Sequence, residues 1–166
     1  MSTQKLYHYF LTVKLQPNAE TGEPEAVVES RFPSGDLPKA ENSLMGMITQ
    51  FCFPDKEKFP KHNLSPKSKK FTFVVTNIEG TKRFGYCKRS LTGQISISNQ
   101  GKRWPVCHCI LSVFPCHSIF DQILEATSRL DPAAVTDLMT QLQNHSLPAP
   151  GDGIYATVSV GDPTAP

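Results

Sequence analysis

The chain has 166 residues, of which 39% are apolar and 19% charged, with a formal net charge of +2. These values fit one globular domain and exclude a disordered, coiled-coil or collagen-like chain. No stretch approaches the ~20 apolar residues of a spanning helix and no apolar signal core follows Met1, so the chain is expected in the cytoplasm with its five cysteines reduced.

Residues 6–16 are β-branched and aromatic without a helical stripe, which predicts a strand. A turn over 18–24, carrying Thr-Gly and Pro, leads into a second strand over 26–32 and makes the pair a hairpin. After the loop chemistry of 33–38, Ser43 is placed to cap a helix that Pro54 ends. Leu44, Met47, Ile48 and Phe51 fall at i, i+3, i+4, i+7 and are expected to face the core; Met45 and Thr49 lie off that stripe and are expected to face outward. Residues 55–70, with two further prolines and six lysines, read as an exposed basic loop. Strands over 71–76 and 83–89 are joined by Glu79-Gly80, and a longer connection runs from Ser90 to Trp104. Val106 to Phe114 is apolar on both faces, as a central strand covered twice would be.

Two helices close the pattern. One starts at Ser118 and carries Ile119, Ile123 and Leu130, widened by Phe120 and Leu124. The other follows Asp131-Pro132, a cap with proline at the first helical position, and carries Val135, Leu138 and Leu142 with Met139 beside them. The order β-β-α-β-β-β-α-α implies an α+β fold, a five-stranded antiparallel sheet with helices on its faces. The alternating run 154–160 has no later element to pair with and looks like the start of something further.

The charge is unevenly placed. Residues 55–103 hold twelve Lys/Arg against three acidic residues, a balance of +9, while the remainder holds five against twelve, a balance of −7. Such a stretch reads first as solvated surface, next as a contact for anionic lipid headgroups through Lys67, Lys69 and Lys70, and last as a nucleic-acid platform in which Phe59, Phe71, Phe73, Phe84 and Tyr86 would stack on bases. The platform reading competes with the need of two helices for the face that Phe71 and Phe73 share.

Cys107 and Cys109 lie at i, i+2 on one strand face, and Cys87 on the preceding strand can stand beside them. Zinc sites usually carry C-x₂₋₄-C pairs or His partners on turns, so no metal is expected and the thiols read as small buried hydrophobes. His108 points away from Cys107 and Cys109, and Cys116-His117 has no orienting carboxylate, so cysteine catalysis is not expected. Phosphate-cradling glycine motifs are absent, and no nucleotide or other cofactor is called for.

Six blocks occur in a telling order: Phe51-Cys-Phe-Pro-Asp55, Phe71-Thr-Phe-Val-Val-Thr76, Arg83-Phe-Gly-Tyr-Cys87, Gly101-Lys-Arg-Trp-Pro-Val-Cys-His-Cys-Ile-Leu-Ser112, Ile119-Phe-Asp-Gln-Ile-Leu124 and Leu147-Pro-Ala-Pro-Gly151. Together they resemble the upstream (uDENN) segment of DENN-domain proteins and the longin-type N-terminal lobe built from it. The resemblance implies guanine-nucleotide exchange on Rab GTPases of membrane traffic, with the Rab held between this lobe and a larger C-terminal DENN lobe. On that pattern residues 1–150 are the uDENN/longin lobe and 151–166 a linker toward the second lobe, without which exchange by this chain is in doubt. The resemblance further implies a protein that works peripherally on endosomal or vesicle membranes.

Exchange needs no acid, base or nucleophile, because tighter binding of the nucleotide-free GTPase is what lowers the barrier to GDP release. The working residues are then an interface. Longin lobes commonly offer their first helix and the neighbouring edge strand, which here are 44–51, with Met45 and Thr49 outward, and 71–76, with Phe71, Thr72 and Phe73. The rivals are a non-catalytic longin-type scaffold and, from another class, a basic nucleic-acid-binding module.

Overall fold

The computed structural model describes residues 5–56, 69–76, 79–91, 104–146, 148 and 153. Five strands, β1 (Tyr9–Pro17), β2 (Pro24–Phe32), β3 (Lys69–Thr76), β4 (Lys82–Leu91) and β5 (Pro105–Ser112), form one antiparallel sheet in the order β2-β1-β5-β4-β3. Helix α1 (Lys39–Cys52) covers one face, and α2 (His117–Ser128) with α3 (Pro132–Gln143) covers the other. This is the expected longin-type arrangement. The expected basic loop, with Lys67 and Phe59, and the run 154–160 lie outside the described residues.

Local chemistry accounts for the joints. Asn18 turns the first hairpin by accepting hydrogen bonds at Oδ1 from the backbone N–H groups of Glu20 (2.8 Å) and Thr21 (3.1 Å), and Gly22 supplies the positive φ that follows. The β1–β2 register slips between Thr12 and Val13, leaving Glu29 as an extra residue on the edge strand. At α3, Asp131 accepts from Ala134 N–H at 2.7 Å, and Pro132 takes the first helical position, where its missing N–H costs nothing.

The strand period of two divides the sheet's side chains between two cores. Phe10, Tyr86 and Ile110 meet Phe120, Ile123 and Met139 of the helix pair. Leu11, Val13, Cys87, Cys107, Cys109 and Leu111 point the other way, to Met45, Ile48 and Cys52 of α1. β5 contributes to both and is buried nearly throughout, as its apolar composition requires. Phe71 and Phe73 lie on the α1 side, so the face they share is covered by one helix rather than two.

A carboxylate in the first turn of α1 ties that helix to the sheet. Arg83 Nη1 and Nη2 each donate to Glu41 at 2.9 Å, a bidentate pair that is mostly shielded from water. The hydrogen bonds from Arg83 hold the Glu41 carboxyl below its usual range. A carboxyl depressed in the folded state stabilises above its unfolded pKa, and the contribution is lost as pH falls through the folded one. Glu41→Gln should therefore cost about 1 kcal/mol at neutral pH. The difference from wild type should vanish in acid, a convergence that denaturant titrations at the two pH values would read.

Candidate functional site

Helix α1 starts at Lys39, four residues before Ser43, with Pro38 rather than a side-chain acceptor at its cap. Its buried stripe is Met45, Ile48 and Cys52, at i, i+3, i+7. The expected orientation of Met45 is thus corrected: it is only 9% exposed, whereas Met47 and Phe51, expected in the core, are 46% and 39% exposed. The physical reason is Cys52. Counted as a small hydrophobe it completes a stripe one residue away from the one built on Leu44, Met47 and Phe51, and its sulfur is drawn onto the sheet among three others. Thr49 is half-buried, its hydroxyl donating to the Gly46 carbonyl at 2.7 Å.

Beside this helix lies β3, the outer strand of the sheet, with no strand beyond it among the described residues. Its pattern alternates between half-buried and exposed from Phe71 onward, and the exposed set includes Thr72 and Val74, the latter at 49%. Phe73 stacks on Phe51 with ring centroids 4.9 Å apart. It also lies directly over Gly85, its cross-strand partner on β4, in the space a β-carbon there would fill. A missing side chain on β4 therefore seats Phe73, which in turn props Phe51 outward. Met47 and Phe51, one turn apart on α1, are partly exposed, and Phe51 meets Phe73 on β3, which no further strand borders among the described residues. Phe71 adds a half-buried ring toward α1, and the Thr72 hydroxyl meets His117 Nδ1 at 3.4 Å on the opposite face.

Among the described residues of the basic stretch, Lys70, Arg83, Lys88 and Arg89 are paired with carboxylates. Lys88, nearly buried, donates to Glu125 and to the Ser128 hydroxyl, both at 3.1 Å, while Lys70 reaches the same Glu125 oxygen at 2.7 Å. The hydrogen bonds from Lys70 and Lys88 pull the Glu125 carboxyl down to about 2. Arg89 pairs with Asp55 at 2.9 Å and lies 4.8 Å over the Phe53 ring. Of the lipid-facing candidates, Lys69 is exposed, Lys70 is in the ion pair just named, and Lys67 lies outside the described residues. No stacking platform forms: Phe71 and Phe73 face α1, whereas Phe84 and Tyr86 face α2, and Tyr86 is buried against Phe120.

The thiols of Cys87, Cys107 and Cys109 do share a face, and Cys52 joins them from the last turn of α1. The Sγ atoms of Cys52, Cys87 and Cys107 lie within 4.8 Å of one another, and Cys109 stands opposite Cys87 as its cross-strand partner. Hydrogen bonding from Cys107, then from Cys109 and Cys87, draws the Cys52 thiol down; the same contact with Cys52 pushes Cys107 and Cys109 up, and burial raises Cys87. His108 is on the other face, its ring stacked on Phe10 and its Nδ1 3.3 Å from the Thr12 hydroxyl, so no Cys–His dyad arises there. His117 meets Thr72 and the edge of Tyr86, while Cys116 donates its backbone N–H to the Tyr86 hydroxyl.

The uDENN domain family matches residues 26–90. Over 162 residues the chain is 36% identical to DENN domain-containing protein 2B of Homo sapiens, an alignment that covers 91% of this chain and 13% of that protein. It is 32% identical to DENN domain-containing protein 2A of Homo sapiens, covering 91% and 15%, and 29% identical to human DENN domain-containing protein 2D, covering 89% and 32%. The chain therefore spans a third or less of the length of these relatives. No helix among the described residues is long and apolar enough to cross a membrane.

Proposed function

This chain is a member of the uDENN/DENN-domain family, and on that premise we propose that it serves as the N-terminal lobe of a Rab guanine-nucleotide exchange factor. The observation that carries the reading is the partly exposed pair Met47 and Phe51 on α1, with Phe51 stacked on Phe73 of β3, the outermost strand among the described residues. A lobe with two partly exposed large side chains on its first helix, beside a strand that no other borders among the described residues, offers a partner both an aromatic anchor and a row of backbone groups. In this role the lobe grips the GTPase with its nucleotide gone better than with it bound, and a second, C-terminal DENN lobe supplies the other wall. Met47 and Phe51 take the outward place first assigned to Met45, with Thr49 at the margin of the contact.

Release of fluorescent GDP from a panel of Rab GTPases tests the proposal, with this chain and with a version extended through a C-terminal DENN lobe. Acceleration by the extended version on one or a few Rabs is expected. Silence from a folded extended version across a broad panel would transfer the lobe to the scaffold reading, in which the β3 edge pairs with another sheet. The double change Met47→Asp and Phe51→Asp should weaken Rab binding about tenfold or more, as loss of a central anchor does. It should lower stability by roughly 1–3 kcal/mol, because both side chains are partly buried and Phe51 stacks on Phe73, so binding is compared at temperatures where the variant is folded. Work at the cytoplasmic surface of endosomes or vesicles, with Lys69 near anionic headgroups, belongs to the same proposal. Liposome sedimentation without any dependence on anionic lipid would remove that contact.

A further inference from the structure

The cluster under α1 has a geometry that apolar packing does not require. Cys87 and Cys109 are direct cross-strand partners, Cys107 lies two residues along β5 on the same face, and Cys52 closes the group from above. All four side chains are buried, and the sulfurs of Cys52, Cys87 and Cys107 lie within 4.8 Å of one another. Four thiolates around zinc at about 2.3 Å stand about 3.8 Å apart at the corners of a tetrahedron. Three of these sulfurs already fit within 4.8 Å, so closing on an ion asks them for shifts of about 1 Å or less, and asks a larger one of Cys109, which faces Cys87 across the strand pair.

We propose that Cys52, Cys87, Cys107 and Cys109 form a closed tetrathiolate site for one structural zinc ion, clamping the end of α1 to the middle of the sheet. The donor set selects the metal. Sulfur ligands without carboxylate, imidazole or a water-accessible position suit a zinc ion held for structure, not for Lewis-acid chemistry. Binding replaces four thiol protons, which leave to solvent, and leaves the filled site with a charge of −2. The Arg89 guanidinium, on the residue that pairs with Cys107 across the strands, offsets part of that charge. A bound ion would hold Cys52 inward, and with it the orientation of α1 that leaves Met47 and Phe51 partly exposed.

The test is zinc content and cobalt spectroscopy of the 166-residue chain, purified with a thiol reductant and without chelator. About one zinc per chain is expected, and cobalt put in its place should give intense sulfur-to-metal charge transfer with the visible bands of a tetrahedral site. Cys116→Ser, outside the cluster, should keep the ion, whereas Cys87→Ser and Cys107→Ser should lose it. Should those two variants fail to fold, the wild type still decides: a strong chelator should lower its melting temperature and added zinc should restore it. Folded wild-type protein without zinc, a melting temperature indifferent to chelator, an octahedral cobalt spectrum, or zinc held equally by Cys87→Ser and Cys107→Ser would each overturn the site.

Discussion

Phe120→Ala is expected to remove about 3–5 kcal/mol, a large share of the 5–15 kcal/mol that holds a domain of this size together. Phe120 is fully buried where α2 meets β4, its ring 4.5 Å from that of Tyr86 and nearly parallel to it. Tyr86 is fixed in turn at its hydroxyl, which donates to the Phe114 carbonyl at 2.6 Å and accepts from Cys116 N–H at 2.9 Å. The tyrosine therefore cannot slide into the vacated space without giving up two hydrogen bonds, so the cavity stays open and its cost is added to the lost transfer energy. Urea titration with an unchanged slope would report the loss as a shift in midpoint. A cost below about 1 kcal/mol would mean that α2 does not pack on the sheet as described. The exposed Met47→Ala should fall within about 0.5 kcal/mol of wild type, which calibrates the comparison.

Gly85→Ala should change sign with its background. In the wild type a β-carbon at position 85 occupies the space of the Phe73 ring. The ring must then swing off β4, losing its stack on Phe51 and its cover over the α1 core, at a cost of about 1–3 kcal/mol. With Phe73→Ala already in place the obstruction is gone. Alanine then restricts the unfolded chain more than glycine does, so the same change should stabilise by roughly 0.5–1 kcal/mol. A double-mutant cycle measures the difference directly, and simple additivity would show that Phe73 does not rest on Gly85. The cycle also bears on function. If Phe51 and Phe73 form the anchor for a Rab, Gly85→Ala should weaken the partner more than its modest loss of stability accounts for.

Much of the fold is legible from short-range rules. The alternation of β1, the first turn with its Thr-Gly and Pro, the doubly apolar β5 and the Asp131-Pro132 signal each depend on neighbours within a few residues, where backbone sterics and local hydrogen bonds decide. The grouping of Cys87, Cys107 and Cys109 also follows from the strand period once a hairpin-like sheet is assumed. The outward face of α1 was not legible in this way. Two stripes, Leu44-Met47-Phe51 and Met45-Ile48-Cys52, both satisfy helical spacing, and the second stands out only when Cys52 is treated as a core residue.

What the sequence determines by itself is the element order, the antiparallel sheet with helices on both faces, and a place among DENN-domain proteins, because spacing and motif blocks are local records. Tertiary structure alone decides which half of α1 meets water, that Gly85 is a seat for Phe73, that carboxylates from distant elements match Arg83, Lys88 and Arg89, and that a fourth thiol completes the cluster. Each of these depends on residues at least a dozen positions apart in the chain. Their meeting is governed by how the helices settle on the sheet, and no periodicity within one element carries that information.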